Sequence, residues 1–375
     1  MNTKRRILKK ILMISVIVIG VLAIALFIFL QQPQFGRMPS GKRLERIQQS
    51  PNYREGKFQN LSPTPDLAEC ATYYSVLKEF LFQRSKRIQP VDSLPSVKIN
   101  LHDLDRNGDL IVWFGHSSYF LQADGKRFLV DPVFSGSVSP LGFTNRSYKG
   151  SDVYSVADFP DIDYLLISHD HWDHLDYETV MALKSKVGKV VTGLGTGEHF
   201  EYWGYSPDNI IEMDWNEGVT LEPGFVIHAT PGRHFSGRSF TRNKAIWVSF
   251  VLKTPNLNLF IGGDSGYDHH FKTIGDTYGP FDLAILECGQ YDKNWKYIHM
   301  MPEEVVQAAA GLKATKFMPV HWAKFSLGLH DWDDSILRVT KAAAASQMPI
   351  LTPMIGEKVP YTKVRSYTEW WKGLE

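Results

Sequence analysis

Residues 168–174, with the sequence SHDHWDH, bring four potential metal ligands close together in the chain: His169, His171, Asp173 and His174. They follow the apolar run DYLLI, which is typical of a buried strand. A strand end holds such side chains rigidly while their tips converge. Imidazole and carboxylate groups suit zinc, with iron or manganese as alternatives. His169 and His171 can point to one ion, and Asp173 and His174 can serve a second.

Four ligands in one loop cannot complete two metal sites, so other strand ends should supply the rest. Three residues lie in such settings, each near the end of an apolar, strand-like run. They are His234 after FVIHATP, Asp264 in FIGGDSGY and His321 in FMPVHW. With the 168–174 loop, they predict a centre for two metal ions with seven ligands.

The overall composition limits the classes of function. The chain has 375 residues, with Lys+Arg 41 against Asp+Glu 40, and 43% of its residues are hydrophobic. This is the composition of a globular protein, and its net charge of +1 argues against a nucleic-acid partner. Two cysteines, Cys70 and Cys288, are too few for a disulfide scaffold or a cysteine-built zinc site.

Residues 11–30 carry no charge and are long enough to cross a bilayer as a helix. We interpret them as an uncleaved transmembrane anchor; the alternatives are a cleavable signal peptide and a buried core helix. The apolar core of a signal peptide is usually shorter, only about 7–15 residues. The basic residues before this run favour a cytoplasmic N-terminus and an extracytoplasmic catalytic domain. These are Lys4, Arg5, Arg6, Lys9 and Lys10.

The remaining sequence predicts an α/β domain. Two strand-rich halves, each closed by helical patterns, indicate two sheets packed face to face with helices outside. We divide the chain into a basic tail (1–10), the anchor (11–30), a linker and capping segment with one helix near 69–84 (31–96), a hydrolase domain (97–365) and a C-terminal tail (366–375).

At this level the chain resembles the metallo-β-lactamase superfamily, whose H-x-H-x-D-H loop is matched by residues 169–174. Within it, the chain is most similar to the N-acyl-phosphatidylethanolamine-hydrolysing phospholipases D and their bacterial relatives. The similarity runs in one order over roughly residues 100–345. It is carried by GHSSYFLQADGKRFLVDPVFS, ISHDHWDHLDY, TPGRHFSGR, GGDSGY, GPFDLAIL, HMMPEEVVQAA and VHWAKFSL.

The resemblance implies a four-layer αβ/βα sandwich that binds two zinc ions at one edge. One ion would be held by His169, His171 and His234, and the other by Asp173, His174 and His321. Asp264 would bridge the two ions, and Asp173 would also orient the attacking water. The resemblance places His299 beside the substrate phosphate. It also places His116 near the active site, where we expect it to contact the substrate or to support the site.

The function so implied is that of a membrane-anchored, dinuclear zinc phosphodiesterase. It would cleave N-acyl-phosphatidylethanolamine to N-acylethanolamine and phosphatidic acid. One alternative is hydrolysis of another ester, a lactone or a small phosphodiester by the same metal site. Another is a metal-binding membrane protein without turnover. The expected partners are a phospholipid and the membrane, and the oligomeric state stays open, with a homodimer among the options.

Overall fold

The computed structural model describes residues 3–363 and 365–375, so residues 1 and 2 of the predicted tail and residue 364 of the predicted domain lie outside it. Within these residues the α-helices are α1 (Thr3–Leu30), α2 (Gly41–Gln49), α3 (Tyr73–Phe82), α4 (Tyr177–Leu183), α5 (Gly197–Tyr202), α6 (His270–Tyr278), α7 (Pro302–Gly311) and α8 (Asp334–Ala345).

The strands of the described residues follow the apolar runs of the sequence. They are β1 (Tyr53–Arg54), β2 (Lys57–Phe58), β3 (Leu110–Trp113), β4 (Tyr119–Ala123), β5 (Lys126–Val130), β6 (Ile162–Ile167), β7 (Val187–Gly193), β8 (Ile210–Met213), β9 (Gly218–Glu222), β10 (Phe225–Thr230), β11 (Ser249–Lys253), β12 (Asn258–Ile261), β13 (Leu283–Glu287), β14 (Phe317–Val320) and β15 (Lys358–Val359).

Two large mixed sheets form the centre of the domain. One has the strand order β15-β3-β4-β5-β6-β7-β8, and the other has the order β14-β13-β12-β11-β10-β9. Strands β5 to β8 are parallel, and so are β12 to β14. Because the carboxyl ends of parallel strands meet at one edge of a sheet, the loops after β5, β6, β12 and β14 can converge.

Alternating side chains of the seven-stranded sheet pack into two different layers. Ile111 and Trp113 of β3 lie in the core between the sheets, whereas Leu110 and Val112 pack on the outer side with residues of α4 and α5. Helices α6, α7 and α8 contribute buried residues to the core around the six-stranded sheet. The molecule therefore has the helix–sheet–sheet–helix layering that the sequence predicts.

Helix α1 carries the predicted anchor. Residues Arg5–Leu30 form a helix long and apolar enough to cross a membrane, and none of the apolar stretch is buried against the rest of the described chain. These properties suit a membrane span, and a signal sequence near an N-terminus has the same ones.

The interpretation of residues 31–96 as a linker and cap needs correction, because much of this segment is part of the domain. Ile47 of α2 and Phe58 of β2 are both completely buried. The Arg43 guanidinium lies 2.6 Å from a carboxylate oxygen of Glu198 and 2.6 Å from one of Glu212. These ion pairs join α2 to α5 and β8, so the segment folds together with the domain.

The predicted C-terminal tail, 366–375, is also part of the domain. Trp370 and Trp371 are buried, and the Trp370 ring stacks on Trp322 at 5.2 Å between centroids. Because Trp322 directly follows His321, this packing supports one of the predicted ligands from behind.

Candidate metal centre

Four strand ends bring the predicted ligands to one edge of the two sheets. The 168–174 loop leaves β6, Asp264 follows β12, His321 follows β14, and His234 lies in the loop after β10. Gly263 lets the Asp264 segment approach the metal loop. A Cβ atom at this position would lie 2.8 Å from Ser168 Cβ and 2.7 Å from a backbone oxygen.

Three histidines form the first group of ligand atoms. His169 Nε2 lies 2.9 Å from His171 Nδ1, and His171 Nδ1 lies 3.2 Å from His234 Nε2. Burial lowers the pKa of all three imidazoles, so the neutral, metal-binding form is favoured. These three histidines offer ring nitrogens that lie within 4.8 Å of one another, close enough to hold a single cation.

The second group contains Asp173, His174 and His321. Asp173 Oδ2 lies 3.5 Å from His174 Nε2 and 3.9 Å from His321 Nε2. Burial lowers the pKa of His321 well below its ordinary value. For His174, burial also opposes the charge, but the surrounding carboxylates of Asp264, Asp173 and Asp131 raise the pKa well above its ordinary value. So much negative charge around one imidazole is the electrostatic environment that a divalent cation would neutralise.

Asp264 lies between the two groups. Its Oδ2 atom is 3.7 Å from His234 Nε2 and 3.9 Å from His169 Nε2 in the first group. The same atom is 3.2 Å from His174 Nε2 and 3.4 Å from His321 Nε2 in the second. A carboxylate in this position can bind ions on both sides.

The unsatisfied polar atoms of these residues match a metal site. Within the described chain, His174 Nε2, His321 Nε2 and Asp264 Oδ1 are buried and have no hydrogen-bond partner. Leaving such atoms unpaired costs about 1–3 kcal/mol each, and more for charged groups. Buried nitrogen and oxygen atoms that lack hydrogen-bond partners fit the role of metal ligands well.

A set of supporting residues orients the predicted ligands. His234 Nδ1 lies 2.9 Å from the carbonyl oxygen of Ile298, and His321 Nδ1 lies 2.9 Å from Ser117 Oγ. These contacts use Nδ1 and leave Nε2 free for a metal, which is the usual arrangement around metal-bound histidines.

Asp131 is a supporting residue that sequence reasoning missed. Its Oδ2 atom accepts hydrogen bonds from His174 Nδ1 at 2.8 Å and from Ser168 Oγ at 2.6 Å. Its Oδ1 atom accepts one from Ser168 N at 2.8 Å. The available signal was its place in RFLVDP, at the end of a strand that lies parallel to the one before the metal loop.

The prediction that His116 contacts the substrate needs correction. The side chain is completely buried, and its Nε2 atom lies 2.9 Å from Asp173 Oδ2. His116 therefore lies behind Asp173 and holds this carboxylate in place, which is the supporting role that the sequence left open.

His299 lies next to both ligand groups. Its ring centroid is 5.0 Å from that of His234 and 5.3 Å from that of His321. Its Nδ1 atom is 3.6 Å from Glu287 Oε1, a buried carboxylate at the end of β13 that sequence reasoning also missed. Burial opposes the charge on His299, but the Glu287 carboxylate outweighs it and raises the pKa of the imidazole.

A cavity of about 310 Å³ opens above the ligand groups. His299 and five of the seven predicted ligands line its base: His171, Asp173, His234, Asp264 and His321. Its walls are largely apolar and consist of Leu67, Tyr73, Phe235, Trp295, Ile298 and Leu327. Arg242, Asp66 and Gln290 complete the lining. An apolar chain can therefore lie directly against the polar centre.

Residues 126–322 match the model of the "Beta-lactamase superfamily domain", and this stretch contains every predicted ligand. The chain belongs to the beta-lactamase superfamily. An uncharacterized protein of Mycobacterium tuberculosis is 36% identical over 329 residues, which cover 87% of this chain and 88% of the relative.

Another relative of the chain has a named activity. The N-acyl-phosphatidylethanolamine-hydrolyzing phospholipase D 1 of Caenorhabditis elegans is 27% identical over 253 residues, 64% of this chain and 71% of the relative. Among solved structures, the metallo hydrolase Igni18 of Ignicoccus hospitalis covers 67% of this chain and 97% of its own, with a TM-score of 0.53 and 18% identity.

These comparisons confirm the predicted superfamily and its metallo-β-lactamase fold. Together with the clustered histidines and aspartates, superfamily membership supports the broader part of the predicted function, a metal-dependent hydrolase.

Proposed function

We propose that the chain is a two-metal phosphodiesterase of the phospholipase D type. Its substrate would be N-acyl-phosphatidylethanolamine, and its products N-acylethanolamine and phosphatidic acid. The observation that carries this proposal is the position of Asp264 between two groups of ligand atoms at the base of an apolar cavity. The activity named for the C. elegans relative supports the choice of substrate.

Seven residues would hold the two metal ions in this proposal: His169, His171, Asp173, His174, His234, Asp264 and His321. Zinc fits this set of donors, and iron or manganese fits it too. When bound, such a pair of ions supplies Lewis acidity and lowers the pKa of water toward neutrality. Asp173, which His116 holds in place, would orient the attacking water.

His299 would bind the substrate phosphate. It is polar, lines the cavity and is not needed to complete either ligand group. The N-terminus of α7 has fewer free N–H groups for a phosphate, because the Glu304 carboxylate already accepts a hydrogen bond from Met301 N at 2.8 Å. The side chain of His299 would therefore be the main group that stabilises phosphoryl charge.

The lipid substrate agrees with the remaining features of the chain. We propose that α1 is an uncleaved anchor with a cytoplasmic N-terminus and that the catalytic domain lies outside the cytoplasm. An anchor would confine the cavity to the surface where phospholipids are found. A phospholipid and the membrane are thus the proposed partners, and no nucleic acid is required.

The proposal can be tested with purified full-length protein in detergent micelles containing N-acyl-phosphatidylethanolamine. In H₂¹⁸O, attack at phosphorus should place the label in phosphatidic acid and leave N-acylethanolamine unlabelled, as mass spectrometry can measure. A chelator should abolish turnover, and added zinc should restore it. Product without ¹⁸O in the phosphate would refute attack of water at phosphorus.

Matched variants distinguish loss of a metal ligand from a general loss of folding. His169→Ala should lose nearly all turnover, whereas His269→Ala, which removes an exposed histidine at the start of α6, should keep it. A panel of lactones, carboxylic esters and small phosphodiesters tests the alternative substrates. Faster turnover of one of these compounds would favour the alternative hydrolase, and bound metal without any turnover would favour the non-catalytic protein.

A further inference from the structure

Helix α3 turns its polar side toward the protein and its apolar side outward. None of its ten residues, all within the described chain, is buried. Its one acidic residue, Glu79, faces inward, where Lys293 Nζ lies 2.8 Å and Asn294 Nδ2 lies 2.6 Å from its carboxylate. A surface helix of a globular protein normally has the opposite orientation.

The outward side of α3 consists of large apolar side chains. Tyr74 and Phe82 are 78% and 79% exposed, and Leu77 and Leu81 are more than half exposed. Contiguous exposed apolar surface of this kind marks a site that binds a membrane or another protein. The inward-facing polar contacts hold the helix to the body, so the exposed face is presented in a fixed position.

Basic residues lie on and directly after this helix. Lys78 lies on the helix, and Arg84 and Lys86 follow its C-terminus. The Arg84 guanidinium lies 4.4 Å from the ring centroid of Phe80. Apolar residues flanked by cations are typical of helices that lie in the interface of an anionic bilayer.

The same face adjoins the mouth of the cavity. Tyr73, the first residue of α3, lines the cavity together with Leu67 and Arg242. Phe240, two positions from Arg242, is 81% exposed. Arg238 of the same loop donates a hydrogen bond to the carbonyl oxygen of Gln34, shortly after α1 ends. The end of α1 and the exposed face of α3 are thus both linked to the loop that borders the cavity.

We propose that α3 and Phe240 form a second membrane contact, which holds the cavity mouth against an anionic bilayer. This inference deepens the proposed function and rests on it for the lipid that would pass from the bilayer into the cavity. The contact itself can be measured without turnover.

Site-directed spin labelling of the full chain in lipid nanodiscs tests the contact directly. In a Cys70→Ser background, Leu81→Cys can be labelled alone, because Cys70 is exposed and Cys288 is buried. Leu337→Cys on α8, where the native leucine is 40% exposed, is the matched control. In discs containing phosphatidylglycerol, the label at position 81 should collide readily with oxygen and rarely with an aqueous nickel complex. The label at position 337 should show the reverse.

Two results would overturn the membrane contact. One is equal access of the nickel complex to both labels. The other is strong dipolar broadening between labels at position 81, which would show that a second copy of the chain covers α3. Neither result bears on the metal site or on the reaction.

A kinetic test links the contact to the proposed function. Leu77→Ser/Leu81→Ser should raise KM for lipid in anionic vesicles by about 10-fold or more, since losing the burial of even one leucine has an effect of this size. Turnover of a water-soluble phosphodiester should stay unchanged, as it should for Leu337→Ser on both substrates. Equal losses on both substrates would contradict the inference. If the parent protein hydrolyses no phospholipid, the proposed function fails, while the spin-label result still decides the contact.

Discussion

Asp131 offers the sharpest test of how the site is held together, through the substitution Asp131→Asn. The carboxylate is 1% exposed and accepts hydrogen bonds from Ser168 N, Ser168 Oγ and His174 Nδ1. Asparagine has nearly the same shape, but only one of its two terminal side-chain atoms, the amide oxygen, can accept hydrogen bonds. Its amide NH₂ group would face the Oγ and Nδ1 donors, and the charge would be lost.

The expected consequence concerns the second metal ion. Without its acceptor, His174 can move its proton to Nε2, the atom that we assign to the metal. Loss of such an orienting partner typically lowers metal affinity by about 10- to 100-fold, or about 1.4–2.7 kcal/mol. In the first group, only His169 is linked to Asp131, and only indirectly: its Nδ1 atom lies 3.0 Å from Ser168 Oγ, which donates to Asp131. The first ion should therefore be weakened less than the second.

Competition with a fluorescent chelator measures both affinities in the full-length protein. Asp163→Asn is a suitable control, because Asp163 lies near the start of β6, at the opposite end of the strand from the metal loop. For Asp131→Asn we expect a larger loss of affinity at the second site than at the first, and for the control two unchanged sites. Two unchanged affinities in Asp131→Asn would refute the role of this residue.

Three further predictions follow from the arrangement of the chain. His169→Ala should lose most of one metal ion, as elemental analysis would show; full metal content would contradict its role as a ligand. Removal of residues 1–32 should yield a protein that is soluble without detergent and keeps its metals. Removal of residues 1–50 should lower the melting temperature, because the burial of Ile47 and the ion pairs of Arg43 are lost. Equal melting temperatures for the two truncated proteins would contradict the corrected domain boundary. His299→Ala should keep both metals but lower phosphodiesterase turnover by about 10- to 1,000-fold, with a smaller loss of turnover on an uncharged ester. Loss of a metal ion from this variant would show that His299 is a ligand.

The sequence predicted those parts of the fold that depend on local patterns. Helix α7 begins at Pro302 and β6 precedes the metal loop, because proline placement and apolar runs act over a few residues. The seven ligand candidates could be found for a related reason. Histidines and aspartates directly after apolar, strand-like runs are unusual, so each can be recognised from its own short stretch of sequence.

The parts that the sequence did not reveal depend on contacts between distant segments. The ion pair between Arg43 and Glu198 joins positions 155 residues apart, and an isolated basic residue in a polar segment gives no sign of its partner. Asp131 supports His174 only because β5 and β6 are neighbours in the sheet. The sequence assigns Trp370 to a tail, since its partner Trp322 lies in another part of the chain.

The most direct test of the central claim is an anomalous-diffraction experiment on crystals of the full-length protein grown with zinc. Data collected on both sides of the zinc absorption edge should show two peaks, about 3.5–4 Å apart as in other two-metal sites. One should lie among His169, His171 and His234, the other beside His174 and His321, with Asp264 between them. No peak at this edge of the sheets, or a single peak that Asp264 does not contact, would contradict the account.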